Sequence, residues 1–126
     1  MNGWIFIDKP KNITSFKVIK RLKKVLNIKK IGHTGTLDPF ATGILAIALG
    51  EATKSIHYLN QNKVYKFNIV FGELKDTDDI TGKTIKKSNI LPTLNGIDQC
   101  IKKFLGKHRQ IPPQFSAVKV NGKRAY

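Results

Sequence analysis

Cysteine and long apolar segments are the first things that this sequence lacks. Cys100 is the only cysteine in 126 residues, which excludes an internal disulfide framework and a zinc site built on several thiolates, and indicates a reducing compartment. The longest apolar run, residues 44–49, is far shorter than the ~20 residues that a membrane helix requires. The opening MNGWIFIDKP has no basic segment followed by a long apolar core, as a secretory signal would. The composition therefore predicts a soluble, cytoplasmic protein.

Acidic side chains are also scarce. Eight Asp and Glu residues stand against 23 Lys and Arg residues, which gives a formal net charge of +15. Such a balance favours a polyanionic partner, RNA or DNA, because phosphates neutralised by a protein release their counterions. Nearly all the basic residues are Lys, however, and the chain is rich in Asn and Ile, as a codon bias toward A and T would also produce. The charge indicates a nucleic-acid partner without excluding a merely solvated basic surface.

The length suits one compact domain, and hydrophobic periodicity predicts its elements. Strands are expected where apolar residues run together or alternate, at residues 3–8, 44–49, 63–71 and 116–120. The run at 44–49 is expected to be buried on both faces. Helices are expected at residues 15–26, 51–59 and 93–105, the first capped by Thr14 or Ser15. Asn121 and Gly122 form the signature of a two-residue hairpin turn. Strands interleaved with helices predict a single α+β domain.

The stretch GHTGTLDPFATG, residues 32–43, is read as a loop and concentrates the residues that could carry chemistry. Its glycine spacing fits neither a dinucleotide-binding nor a P-loop pattern. His33 and Asp38 are too few ligands for a metal site, no second carboxylate lies close in sequence for paired-acid hydrolysis, and no G-x-S-x-G motif is present. What remains is a single carboxylate on a loop whose glycines let the backbone approach a bulky ligand. Such a carboxylate can act as a nucleophile or as a general base.

Ordinary structural roles for the same residues stay open at this point. Asp38 could cap a helix or stabilise an Asp-Pro turn, His33 could be a hydrogen-bonded structural imidazole, and Tyr65 could be a packed strand aromatic. Residue types and spacing alone therefore support a basic nucleic-acid-binding domain with a candidate single-acid site.

Residues 32–54, GHTGTLDPFATGILAIALGEATK, closely resemble the catalytic signature of the tRNA pseudouridine synthase B (TruB) family. GWIFIDKP followed by TS, KVYKFNIVFG, and QIPPQFSAVKVNGKRAY are similar to other conserved segments of that family, so the resemblance covers essentially the whole chain. It implies the pseudouridine synthase fold, a mixed, largely antiparallel sheet flanked by helices. Residues 1–126 would then be a partial catalytic domain, with its C-terminal half and any C-terminal RNA-binding module absent.

The resemblance also implies roles for the candidate residues. Asp38 matches the family's catalytic aspartate, the nucleophile in isomerising the T-loop uridine at position 55 of tRNA to pseudouridine. His33 matches the histidine that helps hold the extruded uridine, and Tyr65 the tyrosine that stacks on it. A base buried in a folded loop must be flipped into a pocket before it can react, which fits these roles. The family's arginine that faces the aspartate has no counterpart here, and Arg124 is not assigned that role, so the chain alone is expected to be inactive or very weak.

Further residues are assigned to support and to RNA contact. Those expected to shape or support the loop and pocket are Lys9, Pro10, Gly32, Gly35, Pro39, Gly43, Lys119, Gly122 and Tyr126. Those expected to contact phosphates are Lys17, Lys20, Lys24, Lys29 and Lys30. The expected partner is the T-arm stem-loop of tRNA, bound by a monomer without a cofactor, a metal or a membrane. Two departures from the family pattern are Asn12, where glycine is usual, and Lys75, where threonine is common.

Two rival functions remain. One is a guide-RNA-dependent pseudouridine synthase that acts within a ribonucleoprotein. The other is a basic RNA-binding domain that keeps the fold without catalysis.

Overall fold

The computed structural model describes residues 1–59, 62–110, 119–120 and 123–124, the last four by their backbone alone. Its contacts separate two compact units, Met1–Tyr65 and Lys66–Tyr126, each of which is described by itself. The expectation of one partial catalytic domain over residues 1–126 stays a prediction. The mixture of helices with antiparallel strands confirms the α+β class. No helix in the described ranges is long and apolar enough to cross a membrane.

A three-stranded antiparallel sheet forms the centre of the first unit. Its strands are β1 (Gly3–Lys9), β2 (Ile31–His33) and β3 (Gly43–Leu49), in the order β1-β3-β2. The register pairs Gly3 with Leu49 and Lys9 with Gly43 along the first edge, and His33 with Ile47 along the second. β2 was not expected, because three residues are too few to show a period; the predicted loop therefore begins later than residue 32.

Helix α1 (Ser15–Val25) packs its apolar side on one face of this sheet. It begins where Thr14 accepts a hydrogen bond from the Lys17 amide at 3.1 Å, as expected of an N-cap. Val18 joins the core with alternate residues of β3, Leu45, Ile47 and Leu49. The helix predicted at residues 15–26 is thus confirmed, and its Lys and Arg side chains are left facing water, whereas Ser15 is buried.

The opposite face of β3 is only partly covered. The 3-10 helix Gly50–Tyr58, where a short helix was expected, lies against β2, and Ala48 is fully buried. At the other end of the strand, Ile44 is 66% exposed. The prediction that residues 44–49 are buried on both faces is therefore wrong at Ile44, because an apolar run does not show how far along the strand the covering element extends.

The second unit contains two antiparallel pairs and a helix. β4 (Glu73–Lys75) pairs with β5 (Thr84–Lys87), and β6 (Lys119–Val120) pairs with β7 (Lys123–Arg124). Helix α2 (Leu94–Lys103) begins at an N-cap, Thr93, and confirms the helix predicted there. Val120 pairs with Lys123. Asn121 and Gly122, where the hairpin turn was predicted, lie outside the described residues.

The strand predicted at residues 63–71 is wrong. Residues 63–70 run without a strand partner in the described part of the chain, and their side chains are exposed, with Tyr65 67% accessible. Alternation of apolar and polar residues specifies which side chains would share a face. A strand also needs a neighbour for its backbone N–H and C=O groups, and the sequence of the segment does not contain that information.

Candidate active-site loop

Asp38 lies on a short loop, residues 34–42, that leaves β2 and returns to β3. The Thr34 amide donates to the Ala46 carbonyl at 3.1 Å, and the Ala41 amide donates to the Asp38 carbonyl at 3.1 Å, which closes a turn. Gly43 restarts the strand at φ +141°, a conformation that side-chain-bearing residues rarely adopt. The Asp38 side chain is exposed. Two adjacent, paired strands therefore hold the ends of a loop that presents one carboxylate to solvent.

The residue before Asp38 is held by a buried hydroxyl. The Leu37 amide donates to Ser15 Oγ at 2.9 Å, and the Ser15 hydroxyl donates back to the Leu37 carbonyl at 3.1 Å. Ser15 is 1% exposed. The sequence indicated Ser15 as an alternative helix cap and as part of the TS pair in a segment similar to a conserved one of the family, but neither signal pointed to a contact with Leu37.

The residue after Asp38 is held by a buried ammonium group. Lys9 is fully buried, and its Nζ donates to the carbonyls of Pro10 at 2.9 Å, Ile13 at 2.8 Å and Pro39 at 3.4 Å. The backbone N–H of Asn12 also donates to the Pro39 carbonyl, at 2.7 Å. Asn12 has φ +63°, which fits a position where glycine would be usual, since Asn tolerates this region well. The supporting role assigned to Lys9 and Pro10 stays a prediction, to which these contacts give a geometric basis.

His33, the last residue of β2, folds back on the start of the loop. Its ring is half-buried, and Nδ1 hydrogen-bonds the Gly35 carbonyl at 2.6 Å. A Cβ on Gly35 would lie 3.7 Å from Lys63 Nζ, an ordinary contact. A Cβ on Gly32 would lie 2.9 Å from Ile56 Cδ1, so a side chain there would require the end of the Ile56 side chain to shift. The role assigned to Gly32 stays a prediction.

The remaining site candidates are less closely placed. Asp38 lies on the loop and His33 at the strand end that leads into it, whereas Tyr65 lies on the segment without a strand partner, in the described part of the chain, that ends the first unit. Lys119 belongs to β6, and its side chain is not described. Gly122 and Tyr126 lie outside the described residues. The roles of these four residues stay predictions.

The basic side chains near α1 differ in their partners. Lys17, Lys20, Lys24 and Lys29 are exposed. Lys30 Nζ lies 3.1 Å from Glu51 Oε1, and the same carboxylate also pairs with Lys54. Hydrogen bonds from Lys54 and Lys30 and their positive charges lower the pKa of Glu51, and the same carboxylate raises the pKa of Lys54. Lys30 is therefore the one expected phosphate contact that shares its charge with an acid among the described residues.

Within the described ranges, no group of three or more His, Cys, Asp and Glu side chains could hold a metal ion. The loop presents one carboxylate, Asp38, and the strand end that precedes it carries one imidazole, His33. A single carboxylate in such a position can attack an electrophilic carbon or accept a proton.

Comparison with known proteins defines the class of this site. A family model described as TruB family pseudouridylate synthase (N terminal domain) matches residues 23–126. The crystal structure of a Cbf5-Nop10-Gar1 complex contains a similar chain, with a TM-score of 0.61 and 33% identity over 93% of this chain and 31% of that one. The family match and the structural likeness together confirm the pseudouridine synthase fold expected from the sequence.

The chain belongs to the TruB family of pseudouridylate synthases. It is 52% identical over 127 aligned residues to tRNA pseudouridine synthase B of Ehrlichia ruminantium and 48% identical to that of Roseobacter denitrificans. All of this chain is covered in both cases, with 43% and 42% of the respective relatives. The chain thus spans less than half the length of these curated relatives.

Proposed function

We propose that this chain supplies the catalytic loop of a tRNA pseudouridine synthase that isomerises the T-loop uridine at position 55. The observation that carries the proposal is the placement of Asp38. It is the single carboxylate of a loop whose backbone is held on both sides of it, by Ser15 at Leu37 and by Lys9 at Pro39, and the chain belongs to the TruB family. We call these two sets of contacts the clamp. The relatives' name, tRNA pseudouridine synthase B, supports tRNA as the substrate.

The reaction is balanced without an external reagent. The N1–C1′ bond of uridine breaks, the uracil turns, and a C5–C1′ bond forms, while C5 loses its proton and N1 gains one. Asp38 is the nucleophile in this proposal, and its exposed carboxylate on a backbone fixed at Leu37 and Pro39 is suited to that role. Fixed geometry matters because holding reacting groups in place can supply about 7–11 kcal/mol of the barrier.

His33 and Tyr65 hold the flipped base in this proposal. Enzymes that act on a nucleotide within a folded loop extrude the base and stack it on aromatic or apolar side chains. His33 is fixed against the same loop by its bond to Gly35, and the Tyr65 ring is accessible for stacking. The two residues thereby serve binding, and the carboxylate serves bond rearrangement.

The exposed lysines of α1 supply the phosphate contacts. Lys17, Lys20 and Lys24 recur at three- and four-residue intervals, so they share one side of the helix, and Lys29 follows shortly after its end. None of the four has an ion pair with an acid among the residues that the structure describes. Each is free to contribute to salt-dependent binding of RNA.

Substitution of Asp38 tests the catalytic assignment. Because the relatives are longer, we would join residues 1–126 to the remainder of the Ehrlichia ruminantium enzyme and assay a T-arm stem-loop RNA. Asp38→Asn, which keeps the shape and removes the charge, should reduce pseudouridine formation by more than ~1,000-fold, since loss of a nucleophile removes the covalent route. RNA affinity should change less than ~2-fold, because the phosphate contacts remain.

Asp98→Asn is the matched control, since Asp98 is exposed on α2 and its loss changes the charge equally. Full activity of Asp38→Asn would contradict the nucleophile assignment. Equal losses of activity and of RNA affinity would favour a non-catalytic RNA-binding domain. The guide-RNA-dependent alternative has weaker support, because the Cbf5 likeness rests on 33% identity against 52% for tRNA pseudouridine synthase B.

A further inference from the structure

We infer that Ser15 is a positioning residue that sets the orientation of Asp38 and couples it to helix α1. The inference rests on the proposed function and adds a residue to its machinery. It comes from one contact, the paired hydrogen bonds between the Ser15 hydroxyl and the Leu37 backbone.

The contact satisfies both backbone groups of one residue with one side chain. Ser15 Oγ accepts from the Leu37 amide at 2.9 Å and donates to the Leu37 carbonyl at 3.1 Å. Because a hydroxyl has one proton, these two bonds fix its rotation. Ser15 is 1% exposed, so water does not compete for it. Burial and the double contact distinguish it from a surface hydroxyl that bonds whichever group is near.

The Leu37 carbonyl belongs to the peptide unit that leads into Asp38. That unit is planar, so holding its oxygen also fixes the direction of the bond entering the Asp38 backbone. Pro39, on the other side, is held by the Asn12 amide and by the long Lys9 side chain at 3.4 Å. Ser15 is therefore the short, rigid half of the clamp, and its loss would let the Asp38 carboxylate shift while the loop stays attached.

The contact also ties the loop to the element that carries the basic face. Ser15 is the first residue of α1, and the Thr14 cap fixes the backbone at that end of the helix. Lys17, Lys20 and Lys24 lie on the same helix. RNA held by these lysines would thus be kept in register with the carboxylate by the buried Ser15 hydroxyl, which bonds the loop directly from the first residue of the helix.

Neighbouring hydroxyls at the start of α1 provide the test. Thr14→Ala removes the helix cap and Ser15→Ala removes the hydroxyl that holds Leu37, so each deletes one hydroxyl at the start of α1, but only the second releases Leu37. In the fusion with the Ehrlichia ruminantium enzyme, Ser15→Ala should lower kcat about 10- to 100-fold, the scale of a misplaced catalytic group. KM should change less than about 3-fold, because the phosphate contacts are unaltered. Thr14→Ala should keep kcat within about 2-fold at temperatures well below its Tm.

Ser15→Cys, with a similar shape and a weaker donor and acceptor, should be folded and intermediate in kcat. It decides the case if Ser15→Ala does not fold. Equal kcat values for Ser15→Ala and Thr14→Ala, or an unchanged kcat for both Ser15 variants, would overturn the inference. The unsubstituted fusion and Asp38→Asn report on the proposed function independently. An active fusion with a silent Ser15 therefore contradicts only the role of Ser15, whereas an inactive fusion contradicts both proposals.

Discussion

At the scale of single residues, the buried polar groups of the first unit act on the backbone of the Asp38 loop. Lys9 and Ser15 are the buried polar side chains in the described residues, and both bond residues adjacent to Asp38. Burying a polar group is costly unless its hydrogen bonds are made. Their presence in the core therefore reflects the need to hold an exposed loop from beneath.

Replacement of Lys9 tests this need. Lys9→Met keeps the length of the side chain and removes the ammonium, so the carbonyls of Pro10 and Ile13 lose the Lys9 donor, whereas that of Pro39 keeps the backbone N–H of Asn12. We expect a loss of about 1–3 kcal/mol in the free energy of unfolding, the cost of separating a buried donor from its acceptors.

Chemical denaturation of the 126-residue chain would measure the effect. The matched control is Lys11→Met, because Lys11 is exposed and a surface substitution usually changes stability by less than about 0.5 kcal/mol. Equal effects of the two substitutions would show that the three carbonyl contacts contribute little.

At the scale of elements, the sequence predicts helices well, because their signals are local. It predicts strands less well, because strand pairing depends on residues far apart in the chain. Helices α1 and α2 follow from helical spacing together with Thr14 and Thr93 as caps. The segment at residues 63–71 shows an equally clear alternation but forms no strand, because a ladder needs a partner from elsewhere. For the site, a sequence motif identified Asp38 and His33. The contact between Ser15 and Leu37 was not predicted, because the two residues are 22 positions apart and no local sequence pattern specifies such a contact.

The 3-10 helix carries an acid, Glu51, that pairs with one of the basic residues near α1, Lys30. It begins where the Gly50 amide donates to the Lys30 carbonyl at 2.8 Å, and it carries Glu51 to the Lys30 side chain. Glu51→Gln should free both Lys30 and Lys54 and raise RNA affinity about 2- to 5-fold, since an exposed ion pair is worth about 0.2–1 kcal/mol. The slope of log K against log salt should steepen by about 1, as expected for one added phosphate contact.

Fluorescence anisotropy of the labelled T-arm stem-loop in a salt series would measure both quantities. Asp98→Asn serves again as the control, because it removes one negative charge without releasing Lys30. If both variants bind alike, the gain is a general effect of net charge and Lys30 does not contact phosphate.

At the scale of the whole molecule, three of the eight acids of a chain with a charge of +15 have lowered pKa values. The pKa of Glu73 is lowered, chiefly by a hydrogen bond from Lys75, and that of Asp79 is lowered, chiefly by the Thr81 hydroxyl. The pKa of Glu51 is lowered by hydrogen bonds from Lys54 and Lys30 and by their charges. A carboxyl with a depressed pKa in the folded state contributes stability above its unfolded pKa, and this contribution is lost as the pH falls through the folded value.

The Tm should therefore be nearly constant from neutral pH to about 5 and should fall below about 4.5, as these carboxyls protonate. Thermal unfolding followed by circular dichroism across pH would measure this. The triple variant with Glu51→Gln, Glu73→Gln and Asp79→Asn should start from a lower Tm and show a shallower decline. A parallel decline in both proteins would mean that other groups govern acid unfolding.

The bond between His33 and Gly35 determines where the imidazole carries its proton. A carbonyl oxygen can only accept, so Nδ1 must be the protonated nitrogen, and the neutral ring is the Nδ1–H tautomer. Nε2 then carries a lone pair. At neutral charge, His33 can accept a hydrogen bond from an N–H or O–H group, but it cannot donate one through Nε2 to a carbonyl or a phosphate until it gains a second proton.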